Sequence, residues 1–136
     1  MDFGLDLIAT STFLDVEVEE SVDPDILGKR PTQVAEQLAS IWADYALPLP
    51  SLSGLHIGAG ARYLGSSFGD EANGFKIPSE TLFDAGLRYD LDNIQLKLHV
   101  QNILDDEHIA SGFVRTGNFI TFGTERAVTG SIAYRW

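Results

Sequence analysis

The stretch Ile94-Gln95-Leu96-Lys97-Leu98-His99-Val100-Gln101 alternates apolar and polar residues without a fault. Ile94, Leu96, Leu98 and Val100 take one face, and Gln95, Lys97, His99 and Gln101 take the other. That is the signature of a half-buried β-strand. The same period of two extends outward from it. In 80–91, Phe83, Ala85, Leu87, Tyr89 and Leu91 oppose Leu82, Asp84, Gly86, Arg88 and Asp90. In 55–64, Leu55, Ile57, Ala59, Ala61 and Tyr63 oppose His56, Gly58, Gly60 and Arg62. In 38–47, Ala39, Ile41, Ala43, Tyr45 and Leu47 oppose Ser40, Trp42 and Asp44, and the C-terminus sets Val128, Gly130, Ile132, Tyr134 and Trp136 against Thr129, Ser131, Ala133 and Arg135. An opening strand near 4–18 is expected, with a bulge where the apolar parity shifts from Leu5, Leu7 and Ala9 to Leu14, Val16 and Val18.

The connections between these six strands alternate in length. Residues 19–35, 65–79 and 104–124 form long loops, whereas 48–54 and Asp92-Asn93 form short turns. An antiparallel meander with long loops at one end and short turns at the other is the plan of an outer-membrane barrel. With that topology Tyr45, Tyr89, Tyr134 and Trp136 all lie on the apolar face at the short-turn, periplasmic end, as one aromatic girdle. Ile41, Ala43, Ala59, Leu87, Leu96, Leu98 and Ile132 are then expected to face lipid. Asp44, Arg62, Asp84, Arg88, Lys97, His99 and Gln101 are expected to line the lumen. In a soluble β-sandwich the same pattern places the apolar face in a core and the charges in solvent, and alternation does not separate the two. Six strands cannot close a membrane barrel of the smallest kind, which needs about eight. An open sheet in lipid leaves its edge backbone groups unpaired. The chain therefore reads as a piece of something larger, or as a strand set that must be completed.

Composition narrows the classes further. The chain has 136 residues, with 9 Lys+Arg against 20 Asp+Glu and a formal net charge of −11. The acidic balance argues against a nucleic-acid partner, which requires a basic face. With no cysteine, disulfides, thiolate metal sites and thiol catalysis are excluded. No 18-residue apolar run exists to make a membrane-spanning helix. Met1-Asp2-Phe3-Gly4 carries no basic region followed by an apolar one, so an export signal is expected outside this chain. Eight acidic residues fall in the first 25 positions, before the first cation at Lys29. They read as a solvated loop, because Asp23 and Asp25 flank Pro24 and lack calcium-loop spacing.

In order along the chain, Ser40-Ile-Trp-Ala-Asp-Tyr45, Gly58-Ala-Gly-Ala-Arg-Tyr-Leu-Gly-Ser-Ser67, Ile77-Pro-Ser-Glu-Thr-Leu-Phe-Asp-Ala85, Val100-Gln-Asn-Ile-Leu-Asp105 and Glu125-Arg-Ala-Val-Thr-Gly-Ser-Ile-Ala-Tyr-Arg-Trp136 resemble the C-terminal part of TonB-dependent outer-membrane siderophore receptors, of the ferrichrome-type branch. These motifs run from about residue 28 to the last residue. The resemblance implies that residues 1–136 are the last six or so strands of a 22-stranded plugged barrel. The TonB box, the plug and about sixteen strands would lie elsewhere. It further implies a Gram-negative outer-membrane location, with lipid around the barrel and a ferric siderophore as substrate. The TonB complex would be reached through the missing N-terminal part. The terminal Tyr134 and Trp136 resemble the signal read by the barrel-assembly machinery, with its usual Gly one place early at Gly130.

No catalytic signature and no cofactor are read from the residues. Asp105-Asp106-Glu107-His108 are too close in sequence to converge on one metal ion. Resemblance makes Asn102 and Asp105 part of a strand-to-loop transition instead. Ser66, Ser67 and Ser111 lack a nucleophile-elbow setting. His56 and His99 read as lumen lining. Gly58 and Gly60 read as a close approach of a plug or a neighbouring strand. For ligand contact the resemblance singles out Phe113. It follows Ala110-Ser111-Gly112, where ferrichrome-type relatives carry Ala-Ser-Cys and then a ligand-facing aromatic. Gly112 and Asn118 stand where those relatives carry cysteines. Arg115 is added on charge chemistry alone, as a partner for the anionic oxygens of a chelate. Two other readings remain open at this point: a non-transport outer-membrane barrel segment and a soluble β-sandwich binding module.

Overall fold

A computed structural model describes residues 4–114 and 117–136. Six strands form one antiparallel sheet in chain order: β1 (Leu5–Phe13), β2 (Gln37–Ala46), β3 (Leu55–Leu64), β6 (Glu80–Leu91), β7 (Ile94–Gln101) and β10 (Ala127–Tyr134). Two small hairpins stand in the long connections. They are β4 (Ser67–Phe68) with β5 (Lys76–Ile77), and β8 (Ile109–Val114) with β9 (Asn118–Phe122). The loops expected at 65–79 and 104–124 are therefore partly strand. The opening strand also differs from expectation. Its register with β2 runs unbroken from Leu5 opposite Tyr45 to Phe13 opposite Gln37, so the parity shift marks the strand's exit from the sheet and not a bulge.

Register converts period two into two continuous faces. Leu7, Ala43, Ala59, Ala85, Val100 and Val128 lie in one row across all six strands. Leu5, Tyr45, Ile57, Leu87, Leu98 and Gly130 lie in the next, and Leu96 with Ile132 in the one after. Among the described residues nothing covers this face: Leu7, Ile41, Leu87, Leu98 and Ile132 are all exposed, and only Ile77 and Leu82 of the large hydrophobics are buried. A β-sandwich needs a second sheet on its apolar side, and the described residues supply none.

The opposite face is polar with one aromatic set in it. Trp42 lies across a floor of Gly58, Gly60 and Gly86, on β3 and β6. A Cβ at Gly60 would stand 2.5 Å from the indole and 2.7 Å from the Ile41 carbonyl, and one at Gly86 would stand 3.3 Å from the ring. The close approach expected at Gly58 and Gly60 is thus made by a side chain of the neighbouring strand β2. Filling this floor should strain both ring and backbone. Gly60→Val is expected to destabilise the intact protein in detergent by about 1–3 kcal/mol. Gly130→Val, with nothing within 4 Å of its Cβ position, should stay within about 0.5 kcal/mol. Urea midpoints of the two variants check this.

Candidate functional site

The short-turn end is closed by Asp92-Asn93, where Asp92 adopts a φ of 35°, and by the 47–54 connection, held by the Asp90 N–H on the Gly54 carbonyl at 2.9 Å. Tyr45, Tyr89 and Tyr134 sit near this end on the apolar face, and the Tyr134 and Trp136 rings lie 6.5 Å apart. The other end carries three long excursions, at 14–36, 65–79 and 102–126.

Those excursions are tied into one layer. Asn73, in the left-handed region at φ 61°, lies between the first two. Its Oδ1 accepts the Arg30 N–H at 2.9 Å and its Nδ2 donates to the Arg30 carbonyl at 2.9 Å. The Gln33 N–H donates to the Phe68 carbonyl at 2.8 Å, and the Arg30 guanidinium stands 6.0 Å from the Phe68 ring centre. The second and third excursions meet where the Val114 N–H donates to the Gly69 carbonyl at 3.1 Å. There the Phe75 ring is wedged between two glycines. A Cβ would stand 2.5 Å from it at Gly69 and 2.7 Å at Gly112. Gly112 thus leaves the space that Phe75 occupies, so the loop is shaped here by aromatic packing.

Phe113 lies on β8, 45% exposed and stacked on Phe119 with ring centres 5.2 Å apart. It borders a cleft of about 530 Å³ with Ile26, Val114, Thr32 and the carboxylates of Asp23, Asp25, Asp70 and Glu71. All three excursions contribute to this cleft, and its four acids come in pairs from the first and the second. Arg115 lies outside the described residues.

The expected inner set shares the polar face of the sheet. Arg62 grips Asp84 with both arms, Nε to Oδ2 at 2.7 Å and Nη2 to Oδ1 at 3.1 Å. Asp44 Oδ1 accepts from His56 Nδ1 at 2.7 Å and from Arg88 Nη2 at 3.0 Å. A carboxylate partner requires the proton on Nδ1. The 2.9 Å approach of Arg88 Nη2 to that same nitrogen then joins two donors that share one acceptor. Arg88 Nη1 reaches Asp90 at 2.6 Å, and Gln95 holds the other oxygen of Asp90 at 2.5 Å. His99 lies 5.6 Å from the Trp42 ring, while Lys97 lines a shallow hollow beside it. Gln101 closes the row at the rim, opposite Ala127.

Asn102 was legible only as a strand-to-loop residue, yet it is the most buried polar side chain described, 2% exposed. Its carboxamide joins the two roots of the third excursion. Nδ2 donates to the Asp106 carbonyl at 2.9 Å and to the Thr124 carbonyl at 3.2 Å, and Oδ1 accepts the Asp106 N–H at 3.0 Å. Asp105 adds a second staple by accepting the Arg126 N–H at 2.7 Å and Nη2 at 3.2 Å. Within the acidic run after Asn102, Asp105 thus ties its carboxylate to Arg126 and Asp106 its backbone to Asn102, and no cluster suited to a metal ion occurs among the described residues.

Comparison with known proteins agrees with this architecture. A family model described as TonB dependent receptor-like, β-barrel, matches residues 1–103, so the likeness begins well before the motifs quoted above. The ferrichrome outer membrane transporter/phage receptor of Escherichia coli K12 is 40% identical over 138 residues, covering 98% of this chain and 18% of the transporter. The ferrioxamine receptor of Yersinia enterocolitica is 31% identical over 137 residues, covering 96% of this chain and 18% of that receptor. The chain thus spans about a fifth of the length of these relatives. Among solved structures, the siderophore receptor PiuA of Acinetobacter baumannii superposes with a TM-score of 0.78 at 26% identity, covering 96% of this chain and 19% of PiuA. The unliganded ferric citrate transporter FecA superposes with a TM-score of 0.82 at 18% identity, covering 96% and 21%, a likeness of fold alone.

Proposed function

We propose that this chain, which belongs to the TonB-dependent receptor β-barrel family, is the C-terminal wall segment of an outer-membrane receptor that takes up ferric siderophores. In this reading the described residues build barrel wall and outer loop. The remaining strands of a 22-stranded barrel, the plug and the contact with the TonB complex belong to the rest of the receptor. The apolar rows face lipid, and Tyr45, Tyr89, Tyr134 and Trp136 form a girdle at the periplasmic interface. The terminal strand carries the aromatic mark read by the assembly machinery. Asp44, Arg62, Asp84, Arg88, Lys97, His99 and Gln101 line the lumen. The receptor works by binding and passage, with the chelate as cargo and no resident cofactor.

The observation that carries this reading is the 40% identity to a ferrichrome transporter over 98% of the chain, which takes in the outer layer as well as the wall. Within that layer Phe113 is the ligand contact. Its exposed ring offers rigid apolar area at low entropic cost, held in place by Phe119 behind it. Arg115 supplies the positive partner for the oxygens of the chelate.

A receptor made by joining this chain to the part of the E. coli ferrichrome transporter that it does not match provides the test. Phe113→Ala is expected to weaken ferrichrome binding to whole cells by roughly 1–3 kcal/mol, about 5- to 150-fold. Surface abundance should stay unchanged, because the ring lies outside the sheet. Unchanged affinity would return Phe113 to an anchor of the loop on the rim.

A further inference from the structure

We propose that Asn102, held by the Arg62–Asp84 pair, is the clamp that positions the third excursion, and that it thereby sets the strength of ligand capture without touching the ligand. This rests on the capture role proposed above for Phe113.

One hydrogen-bonded chain runs from the inner face of the sheet to both roots of that excursion. It begins at Arg62 on β3, whose guanidinium grips Asp84 on β6. Asp84, 8% exposed, uses Oδ1 a second time to accept the Asn102 N–H at 2.9 Å. That contact holds Asn102 at a φ of 50°, the left-handed turn that aims its carboxamide between the roots. The carboxamide then binds Asp106 on the outgoing root and Thr124 on the returning one. The hairpin β8–β9 stands on these two roots, with Phe113 and Phe119 side by side on it.

The burial of the clamp decides its weight. The Asp105–Arg126 staple is nearly half exposed on both partners, where water screens it. The Asn102 carboxamide is shielded, and truncating it strands two carbonyls and an N–H. Arg62 is not shielded to the same degree, but its fork fits both Asp84 oxygens, a geometry that Gln cannot copy. Removing Arg62 therefore leaves Asp84 free to turn away from the Asn102 N–H. A shift of this kind at the roots displaces Phe113 from its place beside the cleft, and a misplaced contact group costs affinity even though each atom of it is still present.

The experiment uses the same joined receptor, with ferrichrome as the probe. Arg62→Gln and Asn102→Ala should each bind about tenfold more weakly at wild-type surface abundance, with the loss in the dissociation rate. Arg62→Lys should recover only part of it. The double variant should be no worse than Asn102→Ala alone, since both break one chain. A spin label at Thr121, on exposed β9, should become more mobile in each variant before ligand is added. A merely structural role would lower abundance and leave the affinity of the surviving receptors unchanged, which would overturn the proposal. Fully additive losses would also overturn it, because Arg62 would then act by another route. If Asn102→Ala fails to reach the surface, Arg62→Gln and its label carry the test, and an unchanged label mobility there refutes the clamp. Increased mobility in these variants with full affinity in Phe113→Ala would refute the capture role and the link to affinity while leaving the clamp itself standing.

Discussion

Leu98→Arg should cost the barrel about 2–4 kcal/mol in a lipid bilayer, the cost of an arginine at a lipid-facing midplane site. Leu98 lies midway along β7, opposite Leu87 on β6 and Gly130 on β10, with its side chain 42% exposed on the apolar face. An arginine there has no water within reach except by bending toward an interface. Thr129 stands at nearly the same depth, beside Gly130, but on the polar face opposite His99. Thr129→Arg should therefore cost about 0.5 kcal/mol or less. Unfolding free energies of the two variants in the same vesicles make the comparison independent of depth. Equal costs would show that the two faces do not differ in solvent, and the lipid-facing assignment would fail.

The sheet was readable from the sequence because its side chains obey one rule. A strand apolar on one face can slip only by two residues without turning that face inside out. The alternation in 55–64, 80–91 and 94–101 therefore marks both the strands and their faces, and the observed rows follow from it. The end of the first strand was not readable in this way. Leu14, Val16 and Val18 continue an alternation, but the Phe13–Gln37 pair is the last of the ladder. Parity records which side a residue favours and does not say whether a partner strand is still present.

The outer layer was less legible for a different reason. Strands β4 and β5 are two residues each, and β8 and β9 are short and contain or adjoin glycines, so no window shows period two. What holds them together is contact between excursions distant in sequence. Phe75 fills the space above Gly69 and Gly112, and Asn73 pairs with the backbone of Arg30. Asn102 has the same character, because Thr124 returns to it only after the whole third excursion. Trp42 has its place on a polar face because three glycines of β3 and β6 lie beneath it. The local sequence feature at the Asn102 hub is an asparagine directly after a strand, a residue type that tolerates the left-handed region.

The most consequential expectation concerns the chain by itself. Its sheet ends in two edges, β1 and β10, each with a row of backbone groups that lack a partner among the described residues. One whole face is apolar, with Leu7, Ile41, Leu87, Leu98 and Ile132 all exposed on it, whereas a soluble monomer rarely shows a contiguous apolar patch above a few hundred Å². Burying that face in water requires another copy or a detergent, and the open edges offer pairing to any strand they meet. Six strands are also too few to curl shut and abolish the edges. The chain is therefore expected to be stable only as part of a larger barrel, and to associate outside one.

Sedimentation velocity of residues 1–136, refolded alone in detergent-free buffer, tests this claim most directly. The expected result is a broad distribution of large species or complete loss to the pellet, with dispersal on addition of detergent. A single sharp boundary at the mass of the monomer, accompanied by a cooperative melt, would contradict the account, because the apolar face would then need to be satisfied within the chain itself.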